Sequence, residues 1–273
     1  MNPIPFENVN RVGASPFERN HPDHDFVLIT EEQDLPDVRE VLGAGDYALR
    51  LRPGEAQWRS VRLEWLDGCA ALLHAHVGDR AREENQQLLD RFELKRLEPD
   101  EERFLTEGTI EFGILPEIHV GSERTLRLVQ GMAQVMDGLQ AAFAGVVADL
   151  KQFALYGRIW SEPPSPEYSE FLRFVNVHQM LKRGGIWAHT HGMAHFGKPD
   201  IEVLGIPVES EEEYAVWLLQ CCWHQVSEAE LKAGDSIEDP FDGVCTLENA
   251  TQVAGQKVGW HYRNDCLRAV IGG

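Results

Sequence analysis

The chain has 273 residues, 43% of them hydrophobic, which is enough for one large core or two modest ones. Its 45 acidic residues against 25 basic ones give a net charge of -20, which repels a phosphate backbone and an anionic membrane surface and argues against nucleic-acid or membrane partners. The same charge attracts a basic protein partner or simply keeps the chain in solution.

The opening segment, MNPIPFENVNRVGASPFERN, has neither the basic start nor the apolar run of a secretory signal. No stretch is apolar for the length of a membrane helix. Cys69, Cys221, Cys222, Cys245 and Cys266 form an odd set without C-x-x-C, so neither a disulfide framework nor a zinc ribbon is indicated. A cytoplasmic location is expected.

Residues 1–24 read as an irregular arm. FVLI, from Phe26 to Ile29, has the continuous apolar character of a short buried strand. LPDVREVLGAG predicts a helix ending in glycines, and DYALRLRPG a strand running to a Pro-Gly turn. VRLEWLDGCAALLHAHVG then gives two apolar runs about Asp67-Gly68, a dipeptide suited to a hairpin turn. The charged block GDRAREENQQLLDRFELKRLEPDEERF predicts a solvated helix and connector, dividing an N-terminal lobe at 25–104 from a C-terminal lobe at 105–273.

In the C-terminal lobe, LRLVQGMAQVMDGLQAAFAGVVADL repeats apolar residues at steps of three or four through Leu128, Met132, Val135, Leu139, Phe143, Val146 and Leu150. This spacing predicts a core helix from Leu126 to Leu150. Beyond the proline-rich SEPPSPEYSE, the aromatic and β-branched residues flanking Arg183-Gly184-Gly185 predict a hairpin, with helix as the alternative for its first limb. Ser210 and Glu213 stand at capping-box spacing ahead of a helix that buries Tyr214, Trp217, Leu218 and Cys221 on one face. A cysteine on such a face acts as a small hydrophobe. Residues from Gly234 onward read as short strands. The fold class expected is α+β, two lobes that each pack helices on a largely antiparallel sheet.

The densest chemistry lies in GGIWAHTHGMAHFGKPDIEV, Gly184 to Val203. On a strand, side chains at i and i+2 share a face roughly 7 Å apart along the chain, so His189 and His191 present both imidazoles together. If two or four residues connect the hairpin, His178 falls on the same face as His189 and His191, directly opposite His189 in the two-residue case, and is available as a third ligand. The turn after Gly192 is expected to bring His195 back toward the pair, with Asp200 or Glu202 as carboxylate ligand or general base. Neutral imidazole with carboxylate suits zinc, manganese, iron or nickel. Three such ligands and an open position lower the pKa of a bound water and create a hydrolytic nucleophile.

The same residues also suit a half-buried strand and turn whose histidines bond to backbone. His-Glu-x-x-His, the helix motif of zincins, is absent, and cupin, amidohydrolase-barrel and deubiquitinase metal patterns each lack a required residue or position. A second His-x-His, in LLHAHVG, suggests two related lobes. His74 and His76 lack a nearby carboxylate and read as structural.

Trp187, His189, Thr190, His191, Gly192, Met193, Gly197, Pro199, Asp200 and Glu202 resemble the core of an uncharacterised bacterial domain family of unknown function. The resemblance covers the C-terminal two-thirds, including VVADLKQF. It implies no activity, and His195 is outside its motif. The expectation is therefore a divalent-metal site, with His189, His191, His178 and His195 as ligands and Glu202 as catalytic base, in a metal-dependent hydrolase. The alternative is an acidic, non-enzymatic inhibitor or immunity-type protein that captures a basic protein.

Overall fold

A computed structural model describes residues 25–31, 42, 47–52, 58–65, 69–77, 94–98, 101–108, 110–116, 122–152, 154–157, 168–250 and 266–271. The fold is α+β, and the chain forms two compact units, Met1–Pro164 and Ser165–Gly273. The divide expected at 104/105 falls inside a short helix, α1 (Arg103–Glu107), of the first unit. No helix among the described residues is long and apolar enough to cross a membrane.

The first unit is built on an eight-stranded sheet of β1 (Phe26–Thr30), β2 (Tyr47–Arg52), β3 (Trp58–Trp65), β4 (Ala70–Val77), β5 (Leu94–Arg96), β6 (Ile110–Pro116), β7 (Val146–Asp149) and β8 (Ala154–Tyr156), in the order β2-β3-β4-β6-β1-β7-β8-β5. Every residue of β1 is buried because it lies inside the sheet between β6 and β7, which is what its unbroken apolar run requires. Each fully buried Leu, Ile or Phe of this kind contributes about 1.5–3 kcal/mol. The hairpin expected about Asp67-Gly68 forms: Glu64 pairs with Ala70, and the Trp65 N–H donates to the Cys69 carbonyl. The dipeptide itself lies outside the described residues, as do the arm at 1–24 and most of the helix expected in LPDVREVLGAG.

Two expectations for this region are corrected. The charged block is expected to be a solvated helix leading into a connector; residues 78–93 lie outside the described residues, and where a connector is expected the LKR segment forms β5, which pairs in parallel with β8 at the end of the sheet. The long helix, α2 (Ser122–Phe143), belongs to the first unit and stops before Val146. Its buried Val129, Met132, Val135, Met136 and Leu139 pack toward β1, β4, β6 and β7. Ala144 takes a left-handed φ of 46°, Thr30 Oγ1 donates to the Phe143 carbonyl at 2.9 Å, and the β-branched Val146 and Val147 continue as buried strand β7. Helical spacing persisted through this break only by coincidence of period.

The second unit holds a six-stranded sheet in the order β12-β13-β14-β11-β10-β9. Its elements are α3 (Tyr168–Phe171), β9 (Asn176–Lys182), β10 (Gly185–His191), a 3-10 turn (Met193–Phe196), β11 (Asp200–Ile206), a 3-10 turn (Val208–Ser210), α4 (Glu211–Ser227), β12 (Ser236–Glu238), β13 (Val244–Asn249) and β14 (Cys266–Ile271). All its pairs are antiparallel except β11 with β14. Helix α4 lies on β9, β10 and β11, and buries Tyr214, Trp217, Leu218, Cys221 and Cys222 as its periodicity requires. Ser210 is its N-cap but makes no side-chain capping bond; three consecutive glutamates, Glu211 to Glu213, complement the helix dipole instead.

Candidate metal centre

The site is assembled by the β9–β10 hairpin. Arg183 and Gly184 alone connect the strands, and Lys182 pairs with Gly185. Gly184 and Gly185 have φ of 105° and 130°, and a Cβ on Gly185 would stand 2.6 Å from the Ile206 carbonyl oxygen, so glycine is required where β10 leaves the turn beside β11. This connection sets the register that places His178 directly opposite His189 and Asn176 opposite His191.

Strand alternation then sorts β10 into two faces. Thr190 turns toward α4, where it meets Cys222, and Gln179 on β9 reaches the same helix by donating to the Glu211 carbonyl. Trp187, His189 and His191 take the opposite face, together with His178. The Nε2 atoms of His189 and His191 are 3.0 Å apart, and their rings stand nearly perpendicular at 4.6 Å between centroids. The His178 ring lies 5.0 Å from that of His189 and 6.5 Å from that of His191. One ligand nitrogen from each of the three lies within 4.8 Å of the others. His189 and His191 are buried, and His178 is half-buried.

The donor set fits a cation. Two nitrogens about 2.1 Å from one ion stand about 3.0 Å apart when they subtend a right angle and about 3.4 Å at the tetrahedral angle. The pair of Nε2 atoms already has the closer spacing. Without an ion, two neutral imidazoles satisfy each other only if one of the two Nε2 atoms carries the proton.

Glu202 pairs with His189 across β10 and β11, and Arg268 pairs with Glu202 across β11 and β14. Both carboxylate oxygens are engaged. Oε2 accepts from the Trp187 indole Nε1 at 2.9 Å, and Oε1 accepts from Arg268 Nε at 2.7 Å and Nη2 at 2.6 Å. Glu202 is fully buried while Arg268 keeps some exposure, so the carboxylate is the desolvated partner of this ion pair, held within one register row that runs His178, His189, Glu202, Arg268. The Trp187 ring is stacked on His189 at 4.3 Å and 24°, and Lys182 holds its ammonium 5.3 Å from the centre of the same indole.

The other two expected participants stand elsewhere. Asp200 accepts from Thr190 Oγ1 at 3.0 Å and from the Met193 N–H at 3.3 Å, and Thr190 Oγ1 in turn accepts from the Ile201 N–H. It therefore fastens the turn that follows Gly192, whose φ is 116°. That turn is the 3-10 segment that carries His195, and it directs the ring against Phe174 and Phe196, at 5.9 and 6.3 Å, and not into the three-histidine group. His74 and His76 lie on β4 of the first unit, with their side chains outside the described residues.

Cys221, Cys222, Cys245 and Cys266 carry no activated thiol. All five cysteines are free and buried. Burial pushes Cys221 up to about 12, with the neighbouring Cys245 adding to it, and raises Cys222 well above the ordinary thiol range, with Asp200 contributing. Arg268 and Lys182 escaped the sequence reading. Arg268 joins the site only through the parallel pairing of β14, which has no local signal, whereas Trp187 beside His189 was visible as an i, i+2 pair. No family model, curated protein or solved structure matches the chain.

Proposed function

We propose that His178, His189 and His191 bind one divalent metal ion and that the protein is a metal-dependent hydrolase of small substrates. The observation that supports this most is the convergence of three imidazole nitrogens within 4.8 Å, two of them 3.0 Å apart, on a buried sheet face. Three neutral nitrogen donors suit zinc, iron or nickel better than magnesium or calcium. An ion held by these neutral donors would keep its full charge and, with an open position, would supply Lewis acidity to a water or to a carbonyl or phosphoryl oxygen. His189 and His191 are buried and only the half-buried His178, on the end strand β9, has solvent contact, and this enclosure favours a small substrate over a polymer.

Glu202 was read from sequence as the base. Its engagement by Trp187 and Arg268 suits a fixed anion behind His189 better than a group that exchanges protons with substrate. Elemental analysis of untagged protein tests the reading: near-stoichiometric metal is expected in the natural chain and none in a folded His189→Ala/His191→Ala variant. Absence of metal from the natural chain after incubation with zinc, iron, nickel and manganese would refute it.

The charge of -20 supports a second reading, capture of a basic protein without catalysis, for which the exposed Glu209, Glu212 and Glu213 near the start of α4 offer a docking edge. A salt-sensitive basic partner, retained by the histidine variant, would favour it.

A further inference from the structure

We infer that Trp187 is a positioning residue of the three-histidine centre: its indole, anchored by Glu202 and Arg268, holds the His189 ring in the orientation that ligates. The inference rests on the metal reading above and assigns that site a supporting shell. A histidine ring with a ligating nitrogen still turns about its last side-chain bond unless something fixes its plane, and metal sites commonly use a hydrogen bond to the other ring nitrogen. Here the plane is set by stacking. The indole lies within 24° of parallel to the His189 ring with 4.3 Å between centroids, so rotation of either ring drives it into the other.

A stack restrains only if its outer member is itself fixed. The Trp187 N–H donates to Glu202 Oε2, and Glu202 cannot follow a moving indole because Arg268 grips Oε1 with two nitrogens. Arg268 is held by β14, which runs parallel to β11. The sequence of supports from β14 through Glu202 and Trp187 to His189 thus crosses three strands of one sheet. His178 meets His189 edge-on at 87° and lies within 27° of parallel to the His191 ring, 6.5 Å away.

Cobalt(II) titration of the full chain against a competing chelator, followed by its visible absorption band, tests this with Trp187→Phe and Trp187→Leu. Phenylalanine retains a ring but loses the N–H that fixes it; leucine loses both. About tenfold weaker cobalt binding is expected for Trp187→Phe and up to about a hundredfold for Trp187→Leu, each with a shifted band and a circular-dichroism spectrum like that of the natural protein. Wild-type affinity and an unshifted band in a folded Trp187→Leu protein would overturn the inference. If the leucine variant does not fold, the phenylalanine variant decides by the same two readouts. Failure of the natural chain to bind cobalt or zinc is the distinct result that removes the metal centre itself.

Discussion

Removing the guanidinium from Arg268 should cost more than removing the carboxylate it faces. Glu202 has no exposed surface, whereas the Arg268 side chain is 21% exposed. In Arg268→Leu the Glu202 carboxylate loses both bonds to Oε1, at 2.7 and 2.6 Å, and keeps the Trp187 N–H, which carries no full charge. An uncompensated buried charge of this kind costs about 3–5 kcal/mol. In Glu202→Leu the guanidinium still reaches water, and the main loss is the unmade bond of the Trp187 N–H, about 1–3 kcal/mol. The double variant Glu202→Leu/Arg268→Leu replaces the pair with apolar groups and should resemble Glu202→Leu, leaving it more stable than Arg268→Leu alone. Urea unfolding followed by circular dichroism measures this. With a slope of about 2 kcal/mol per molar urea, the Arg268→Leu midpoint should fall by about 2 M, and the second substitution should recover part of that loss. Two single effects that simply add in the double variant would show that the buried carboxylate does not depend on Arg268 for compensation.

Other outcomes follow from the same geometry. Gly185→Ala should destabilise by about 2 kcal/mol or more in urea unfolding, because φ is 130° and the added Cβ meets the Ile206 carbonyl; an effect under about 0.5 kcal/mol would count against the close approach of β10 and β11. Met132→Ala in α2 should lose about 2–5 kcal/mol, since the side chain is wholly buried. Thiol reagents at pH 8 should modify none of the five cysteines in the folded chain and all of them in denaturant. Cys221 keeps its proton more tightly when folded, so its contribution to stability is complete below pH 9 and is lost as pH rises from 9.0 toward about 12. Cys221→Ala should flatten that alkaline decline in unfolding midpoints measured between pH 8 and 11.

The sequence disclosed the parts of the site that depend on local period and on one turn. Alternation along β10 put His189 and His191 on one face, and the two-residue connection through Arg183-Gly184 brought His178 opposite His189, as the hairpin rule requires. What it could not disclose is the direction of a side chain after an irregular turn. His195 is four residues from His191, yet the left-handed Gly192 and the 3-10 turn send it among Phe174 and Phe196. Arg268 was equally hidden, because 66 residues separate it from Glu202 and only the order of strands makes them neighbours. The overextension of α2 has a related cause. A helical stripe and a buried strand both call for apolar residues, and Val146 happened to satisfy the period of a helix that Ala144 had already ended.

The two carboxylates of the PDIE segment show why residue type alone does not assign chemistry. Asp200 and Glu202 are two positions apart on β11, and either was an acceptable ligand or base by composition. Asp200 instead spends its Oδ1 on Thr190 and the Met193 N–H, which secures the turn, while Glu202 is tied to an indole and a guanidinium. Neither is among the atoms that converge with the three imidazoles. A centre made of neutral donors alone leaves the charge of a bound cation unreduced, whereas a carboxylate ligand would cancel part of it. The ion pair behind Trp187 therefore has a consequence beyond stability: Arg268 compensates the Glu202 charge, so the anion braces the indole without adding uncompensated negative charge beside the three imidazoles.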